Sequence, residues 1–197
     1  MVERIAIYMI GRMKEANLIH EDMAERYFYV LTCRLEKYIT IGAVLLISIF
    51  AQRLLQTLCF LIFFLELRKR TGGYHLQEFY HCFLATIALY VLILNLCTIL
   101  AKQPQWLFGM LLPAMLWIAI TGTVNHPNMH MNTEELAMSK YAARTILLLE
   151  GSIICVCALL GADMNYISYM AMAVILCAVL LCISKILKQE VKNDEEG

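Results

Sequence analysis

A histidine and a cysteine, His75 and Cys82, lie seven residues apart in a segment between two long apolar runs. The segment opens with a basic cluster and a glycine pair, Arg68-Lys69-Arg70-Thr71-Gly72-Gly73. A thiol becomes a good nucleophile only as the thiolate, and a nearby imidazole can accept its proton. A histidine and a cysteine that meet in a sheltered pocket therefore indicate covalent acyl transfer.

The spacing of this pair requires a break in the helix. On one straight helix His75 and Cys82 would share a face but lie about 10.5 Å apart along the axis. Proton transfer needs heavy atoms within about 3–3.5 Å, or one bridging water. Gly72 and Gly73 supply a bend, because glycine enters backbone regions that other residues avoid. We therefore predict a helix break before Phe79, with His75 turned back over Cys82 and Cys82 near a helix N-terminus, where the dipole favours a thiolate.

Polar neighbours of the pair are candidates for supporting roles. Gln77 and Glu78 are the local candidates for the group that orients the imidazole. Arg70 could hold a substrate carboxylate, stabilise a developing oxyanion, or mark the cytoplasmic boundary of a membrane segment. For Arg68 and Lys69 the boundary interpretation is favoured, because cytoplasmic loops carry the excess of basic residues.

Metal binding is the main chemical alternative. The chain has neither a His-Glu-x-x-His nor a Cys-x-x-Cys pattern, and Pro127 disfavours a helix that would bring His126 and His130 onto one face. We therefore predict no metal and no other cofactor. The same polar loop, residues 125–136, is instead predicted to supply substrate contacts, with His126 and His130 as candidates. The metal alternative would draw its ligands from His75, His81, Cys82, His126 and His130.

The elements that position the pair are membrane segments. The chain is 61% hydrophobic and only 16% charged, whereas charged residues make up about a quarter of an ordinary soluble domain. Its formal net charge is zero, so nothing indicates nucleic acid or a strongly charged soluble partner. Most of the eight cysteines lie in apolar runs, where cysteine behaves as a small hydrophobe, and they predict no disulfide framework. The N-terminus mixes charges of both signs and lacks the pattern of a signal peptide.

Six apolar runs predict an all-α, polytopic membrane helical bundle. The last four approach the ~20 residues that cross a bilayer. The first two form either one helix of about 30 residues or two short segments, as a hairpin or re-entrant pair. Basic residues beside both ends of this stretch favour two segments, and the same rule puts both termini and the His75 segment in the cytoplasm. The runs cover residues 38–51, 53–67, 79–101, 105–123, 144–162 and 164–186.

The domain organisation follows from these runs. Residues 1–37 form an amphipathic N-terminal region whose first helix either lies on the membrane surface or is an ordinary solvated helix. Residues 38–190 form a single transmembrane catalytic domain, and residues 191–197 a polar tail. Glu150 is the best candidate for a buried functional carboxylate, with an interfacial position as the equal alternative.

The string Arg70-x-x-Gly73-x-His75 followed by Cys82, in a polytopic chain with an amphipathic N-terminus, resembles the AgrB (accessory gene regulator B) family of Gram-positive bacteria. The resemblance implies a multi-pass cell-membrane cysteine endopeptidase that processes the quorum-sensing propeptide AgrD. It implies that Cys82 attacks a peptide bond of the propeptide, with His75 as base and then acid. A thiol or hydroxyl of the bound peptide would then close a thiolactone or lactone ring. Water must be kept from the acyl-enzyme, and Tyr74, Phe79 and Tyr80 are candidates for this role. Tyr74 and Phe79 are also candidates for substrate contacts.

The polar loop departs from the family pattern. The corresponding loop of the family is often rich in lysine and proline, whereas here it reads His126-Pro127-Asn128-Met129-His130-Met131-Asn132. This difference predicts a cognate propeptide with another charge pattern. The implied partners are an AgrD-like propeptide and the lipid bilayer; a homodimer is compatible with the resemblance, although no Gly-x-x-x-Gly motif supports an interface. The alternative function is a small polytopic peptide transporter or exporter without protease chemistry.

Overall fold

Long apolar stretches, separated by short segments rich in polar residues, glycine and proline, fold into helices. The computed structural model describes residues 2–16, 24–72, 79–124 and 132–187, and within these ranges all regular secondary structure is helical, as predicted. The described residues contain seven helices: α1 (Val2–Glu15), α2 (Ala24–Phe50), α3 (Leu54–Thr71), α4 (Phe79–Leu100), α5 (Pro104–Thr121), α6 (Thr133–Leu159) and α7 (Met164–Ile186).

Four of the described helices, α4 to α7, are long and apolar enough to cross a membrane. Their 18 to 27 residues, at a rise of about 1.5 Å per residue, match the ~30 Å thickness of a hydrocarbon core. These four correspond to the last four predicted segments. The membrane role of the first two runs, which belong to α2 and α3, stays a prediction.

The stretch 38–67 is divided between two helices. α2 ends at Phe50, and Gln52 adopts a left-handed φ of 57° before α3 begins at Leu54. A non-glycine residue in this conformation interrupts the regular helical hydrogen bonding. The alternative of one continuous helix is therefore wrong.

Cα packing groups the described residues into two units, the first of which contains α1, α2 and α4 as far as Ala88. In this unit α1 packs against α2. Ala6 and Ile10, one turn apart, are buried, whereas Ile7 and Tyr8 are exposed. Residues 2–15 are thus helical, and the placement of this helix on a membrane surface stays a prediction.

The second unit contains α3, the rest of α4 from Leu89, and α5 to α7. Helix α7 forms much of its core, since every residue from Ile167 to Val174 is buried. Helices α3 and α5 make extensive contacts with α7. Because 13 of the 23 residues of α7 are buried, this helix is a central support for α3, the helix that leads to the His75 segment.

Polar contacts set the direction of three helices in the second unit. The hydroxyl groups of Thr57 and Tyr90 lie 2.6 Å apart, which joins α3 to α4. The Cys97 thiol donates to the Ser168 carbonyl oxygen of α7 at 3.7 Å. The Arg53 guanidinium donates to the Asn165 side-chain oxygen at 3.4 Å, and the Cys177 thiol donates to the Phe64 carbonyl oxygen at 3.8 Å, so α3 runs parallel to α7.

Asp163 begins α7 as its N-cap and makes a pH-dependent contribution to stability. Its carboxylate accepts from the backbone N–H of Asn165 at 2.9 Å and from the Asn165 side-chain amide at 2.8 Å. These two hydrogen bonds, together with the nearby Arg53 guanidinium, hold the pKa of Asp163 below its ordinary value. A lowered pKa means that the unfolded state binds more protons in the acid range. The stabilisation is therefore complete above the ordinary carboxyl pKa and is lost as the pH falls through the lowered one.

We expect Asp163→Ala to lower the thermal midpoint of the purified protein at neutral pH, because the first turn of α7 loses its cap. The difference from wild type should shrink steadily below the ordinary carboxyl pKa. Thermal unfolding across a pH series measures both effects, with Asp163→Asn as the control, since its amide oxygen can still accept from the helix N-terminus. An Asp163→Ala deficit that is as large in acid as at neutral pH would contradict this assignment.

Candidate active site

The residues predicted for the site fall into two groups. Arg70, Gly72, Phe79 and Cys82 lie in the described parts of the chain, although the Phe79 side chain is not described. The contact between the imidazole and the Cys82 thiol thus stays a prediction. The candidates outside the described residues are Gly73, Tyr74, His75, Gln77, Glu78, His126 and His130.

Gly72 ends α3, at the position where the sequence predicts a bend. Its φ of 65° and ψ of −145° lie outside helical geometry, and its N–H donates to the Arg68 carbonyl oxygen at 3.1 Å. A Cβ atom at this position would lie 3.2 Å from the carbonyl oxygen of Val124. Glycine is therefore required both by the positive φ and by the close approach of a second backbone. Helix α4 then begins at Phe79, as the predicted break before this residue requires.

Cys82 lies in the first turn of α4. Its thiol is free and half-buried, and its carbonyl oxygen accepts from the Thr86 hydroxyl at 2.8 Å. The first turn of a helix presents unpaired N–H groups and the positive end of the helix dipole, which stabilise a nearby anion. Cys82 thus lies among the first residues of α4, whose backbone N–H groups have no partner within the helix.

His81 precedes Cys82 but faces another direction. Successive residues on a helix are rotated by about 100°, so the two side chains diverge. The His81 ring is exposed and packs edge-on against Tyr80, with ring centroids 6.1 Å apart. Proximity in sequence alone does not make His81 the base, and His75 stays the predicted base.

Three residues from two other elements hold the end of α3, and we call this set the α3 clamp: Thr123, Val124 and Ser139. The hydroxyl groups of Thr123 and Ser139 donate to the Arg70 carbonyl oxygen at 2.9 and 3.2 Å. The Val124 N–H donates to the Thr71 carbonyl oxygen at 3.2 Å. The clamp thus joins the end of α3 to the segment after α5 and to the start of α6.

The end of α5 is fixed against α6 in the same region. Gly122 follows α5 with a φ of 70°, and its N–H donates to the Ile118 carbonyl oxygen at 2.7 Å. A Cβ atom on Gly122 would lie only 2.8 Å from the Cγ of Lys140. Arg144 of α6 donates through Nε to the Ala119 carbonyl oxygen at 2.9 Å. These contacts fix the end of α5, and with it the segment that carries Thr123 and Val124, against α6.

The two arginines at the end of α3 differ in their surroundings. Arg68 donates through Nη1 to the Gly72 carbonyl oxygen, so its side chain caps the helix, a role that is compatible with a membrane boundary. Arg70 is half-buried, and its Nε is buried without a hydrogen-bond partner among the described residues. A buried donor without a partner is costly. Arg70 therefore has capacity for a further acceptor.

Comparison with family models identifies the chain. Residues 3–185 match the model of the accessory gene regulator B family, AgrB. The chain belongs to the AgrB family. The match extends from α1 into the last turn of α7 and includes both His75 and Cys82. No curated protein and no solved structure matches the chain.

The AgrB family takes part in the processing of quorum-sensing peptides. Together with the four apolar helices, membership of this family indicates a multi-pass membrane protein. The family implies an AgrD propeptide as its substrate. Within the described residues of this AgrB chain, no group of three or more His, Cys, Asp or Glu side chains could hold a metal ion.

The sequence allows either a buried or an interfacial position for Glu150. In this AgrB chain it is only 4% exposed, and its Oε2 has no hydrogen-bond partner among the described residues. Glu66 of α3 is its electrostatic neighbour. The Glu150 side chain is therefore buried within the second unit, whereas its functional role and its depth in the membrane stay predictions.

Proposed function

We propose that this protein is a membrane-embedded cysteine endopeptidase that cleaves an AgrD-type propeptide through a Cys82 acyl-enzyme. It releases the product by thiolactone or lactone cyclisation. The observation that carries the proposal is the position of the free Cys82 thiol in the first turn of α4, seven residues after a histidine and beyond the break at Gly72. The AgrB match supports it, because the family acts on such a peptide.

The chemistry begins with proton transfer from the Cys82 thiol to the His75 imidazole. The thiolate attacks the carbonyl carbon of the scissile peptide bond, and the imidazolium returns its proton to the departing amine as the C–N bond breaks. The N-terminal part of the propeptide is then held as a thioester on Cys82. A thiol or hydroxyl group of the same peptide attacks this thioester, gives up its proton to His75 and expels the Cys82 thiolate. The ring retains an activated acyl bond, so thioester exchange needs no ATP.

Cyclisation competes with hydrolysis of the acyl-enzyme. The half-buried position of Cys82 at the start of an apolar helix supports limited access of water. We propose that Tyr74 and Phe79 cover the thioester and that Gln77 or Glu78 orients the imidazole. Both roles would favour attack by the bound peptide over attack by water.

Arg70 and the polar loop are the proposed substrate contacts. The Nε of Arg70, which has no hydrogen-bond partner among the described residues, is suited to a substrate carboxylate or to the developing oxyanion. The loop with His126 and His130 begins directly after Val124, whose N–H bonds to the end of α3. The loop and the His75 segment therefore depart from neighbouring points, which supports a shared role in binding the propeptide.

We also propose the membrane arrangement that the basic residues favour. Arg68, Lys140 and Arg144 lie at one end of the second unit, and the positive-inside rule assigns such an end to the cytoplasm. A newly made propeptide would meet the site there. The proposal includes six membrane segments, cytoplasmic termini, the cell membrane of a Gram-positive bacterium, and a homodimer as the assembly to be tested.

A peptide exporter is the second candidate function, and Glu150 is the observation that favours it. Ionisable side chains inside membrane bundles often line a transport path, and Glu150 is buried without a hydrogen-bond partner for Oε2 among the described residues. An exporter, however, needs neither His75 nor Cys82. Propeptide cleavage in variants of these two residues therefore separates the candidates.

The acyl-enzyme can be tested with Cys82→Ser. A serine in place of the cysteine would form an oxygen ester, which is a less activated acyl donor than a thioester, so ring closure should slow. We expect intact-mass spectrometry to detect the N-terminal part of the propeptide bound to this variant after co-expression. Cys155→Ser, on an exposed thiol of α6, is the matched control and should carry no adduct. Undiminished product formation by Cys82→Ser, with no adduct at any time, would contradict the covalent mechanism.

A further inference from the structure

The α3 clamp has a role that the proposed mechanism does not assign. We propose that Thr123 and Ser139 are positioning residues, whose hydroxyl groups hold the Arg70 carbonyl and so fix the point from which the His75 segment leaves α3. The inference rests on the proposed peptidase function. Neither residue would touch the reacting atoms; each would act through the backbone that leads to the base.

The carbonyl groups at the end of α3 show why such a clamp is needed. The last four carbonyls of a helix have no partner within the helix. In α3 the Arg68 carbonyl is bonded by the Gly72 N–H, whereas those of Arg70 and Thr71 are bonded by Thr123, Ser139 and Val124. Two side chains that lie 53 and 69 positions away along the chain thus provide two bonds to one carbonyl oxygen. Water could satisfy an ordinary helix end, but here the bonds come from two other elements.

Burial makes this end of α3 rigid. Thr71 and Val124 are fully buried and Thr123 is 2% exposed. Loss of a buried hydrogen bond leaves a polar group without a partner, so conformations that lack these hydrogen bonds are strongly disfavoured. The backbone at Gly72 has little room to move. Gly72 has a positive φ, and a Cβ atom placed on it would lie 3.2 Å from the Val124 carbonyl oxygen. The clamp therefore determines both the position and the direction of the backbone at Gly72.

The covalent distance from Gly72 to His75 is short. Three peptide units extend to about 11 Å at most, so a displacement of Gly72 is passed on to His75 with few bonds to absorb it. An error of about 1 Å in a catalytic group can cost about 100-fold in rate. A base that must reach the Cys82 thiol is thus sensitive to the position of Arg70.

The clamp also connects the site to the polar loop. Thr123 lies just before the loop, and Ser139 lies in the second turn of α6, just after it. The start of α6 is itself fixed by a capping box, in which the Asn132 N–H donates to the Glu135 carboxylate at 3.0 Å. Both ends of the loop are therefore joined to the backbone that leads to His75.

A stabilising helix end without catalytic consequence is the competing explanation, and kinetic measurements separate the two. We would compare Thr123→Val, Ser139→Ala and the double variant with wild type, using the full-length protein in nanodiscs and its AgrD-type propeptide. Thr145→Val is the matched control, because the Thr145 hydroxyl also bonds a carbonyl, that of Tyr141 at 3.0 Å, but within α6. Thr123→Ser retains the hydroxyl group and tests rescue.

For the double variant we expect kcat to fall by about tenfold or more, with KM changed by less than about twofold. Thr123→Ser and Thr145→Val should both retain kcat close to that of wild type. Iodoacetamide labelling, followed at Cys82 by mass spectrometry, provides a readout without the propeptide. Its pH profile in the double variant should shift towards that of His75→Ala, whereas the Thr145→Val profile should match wild type.

Several results would overturn the assignment. These are an unchanged kcat in the double variant, a Thr123→Ser variant no better than Thr123→Val, or a loss of kcat fully matched by a lower thermal midpoint. If the double variant does not accumulate in membranes, the comparison of Thr123→Val with Thr123→Ser applies the same criteria. Cleavage and labelling that survive His75→Ala would overturn the peptidase mechanism as well. Activity lost in His75→Ala but kept in every clamp variant overturns the clamp alone.

Discussion

Replacement of Cys82 by alanine is expected to abolish propeptide cleavage, with a fall in rate of about 1000-fold or more. The variant retains the helix, because alanine is a good helix former and the cysteine side chain is only half-buried. It removes the sole atom that forms the thioester in the proposed mechanism. Co-expression with the propeptide, followed by mass spectrometry of the cyclic product and the released fragment, measures the loss.

His75→Ala should lower the rate by about 100- to 10,000-fold, the range typical of a general base. His81→Ala is the matched control, since this imidazole lies one residue from Cys82 but is exposed and packs against Tyr80. It should change the rate by no more than about twofold, as is usual for an exposed side chain that takes no part in the reaction. The comparison tests the specific imidazole and excludes a general effect of histidine near the thiol.

Continued shortening of the propeptide by both Cys82→Ala and His75→Ala would contradict the cysteine peptidase mechanism and favour the exporter. A large loss in His81→Ala, with full activity in His75→Ala, would instead mean that the base had been assigned to the wrong histidine. Cys155→Ala serves as the control for the loss of an exposed thiol. Its activity should match that of wild type.

Local signals in the sequence predict much of the fold and part of the site. Apolar runs of 20 or so residues predict the helices α4 to α7 because the bilayer sets their length. The glycine pair predicts the end of α3, since Gly72 adopts a φ that other residues avoid. The position of Cys82 in the first turn of α4 follows from this break. Such features depend on residues close together in sequence, which is why a single sequence reveals them.

Features that depend on distant residues could not be predicted. Thr123 and Ser139 are 53 and 69 residues from their shared acceptor, and a serine or threonine near a helix end is too common to identify one partner. Glu150 lies near the middle of α6, and only the packing of α3 against this helix shows that its side chain is buried. In each case tertiary packing, and not local preference, decides the structure.

Gly72→Ala is expected to lower both the stability and the cleavage rate of the protein. An alanine would have to adopt a φ of 65° with a ψ of −145°, a region that is almost restricted to glycine and costs about 1–3 kcal/mol. Its Cβ would also lie 3.2 Å from the Val124 carbonyl oxygen, which the α3 clamp prevents from moving away. If the backbone relaxes to relieve these contacts, the start of the His75 segment moves, and a displacement of about 1 Å lowers the cleavage rate by about 100-fold.

Gly109→Ala provides the matched control for Gly72→Ala. Gly109 lies within α5, has no atom within 4 Å of a virtual Cβ, and does not have a positive φ. The substitution should therefore stabilise the helix by about 0.5–1 kcal/mol without an effect on cleavage. Thermal unfolding in detergent and the rate of propeptide cleavage measure both variants. Strain at Gly72 is expected to displace the backbone that leads to His75, so Gly72→Ala should lose activity even below its unfolding temperature. A stable and fully active Gly72→Ala variant would show that neither the left-handed φ nor the contact with Val124 matters to the site.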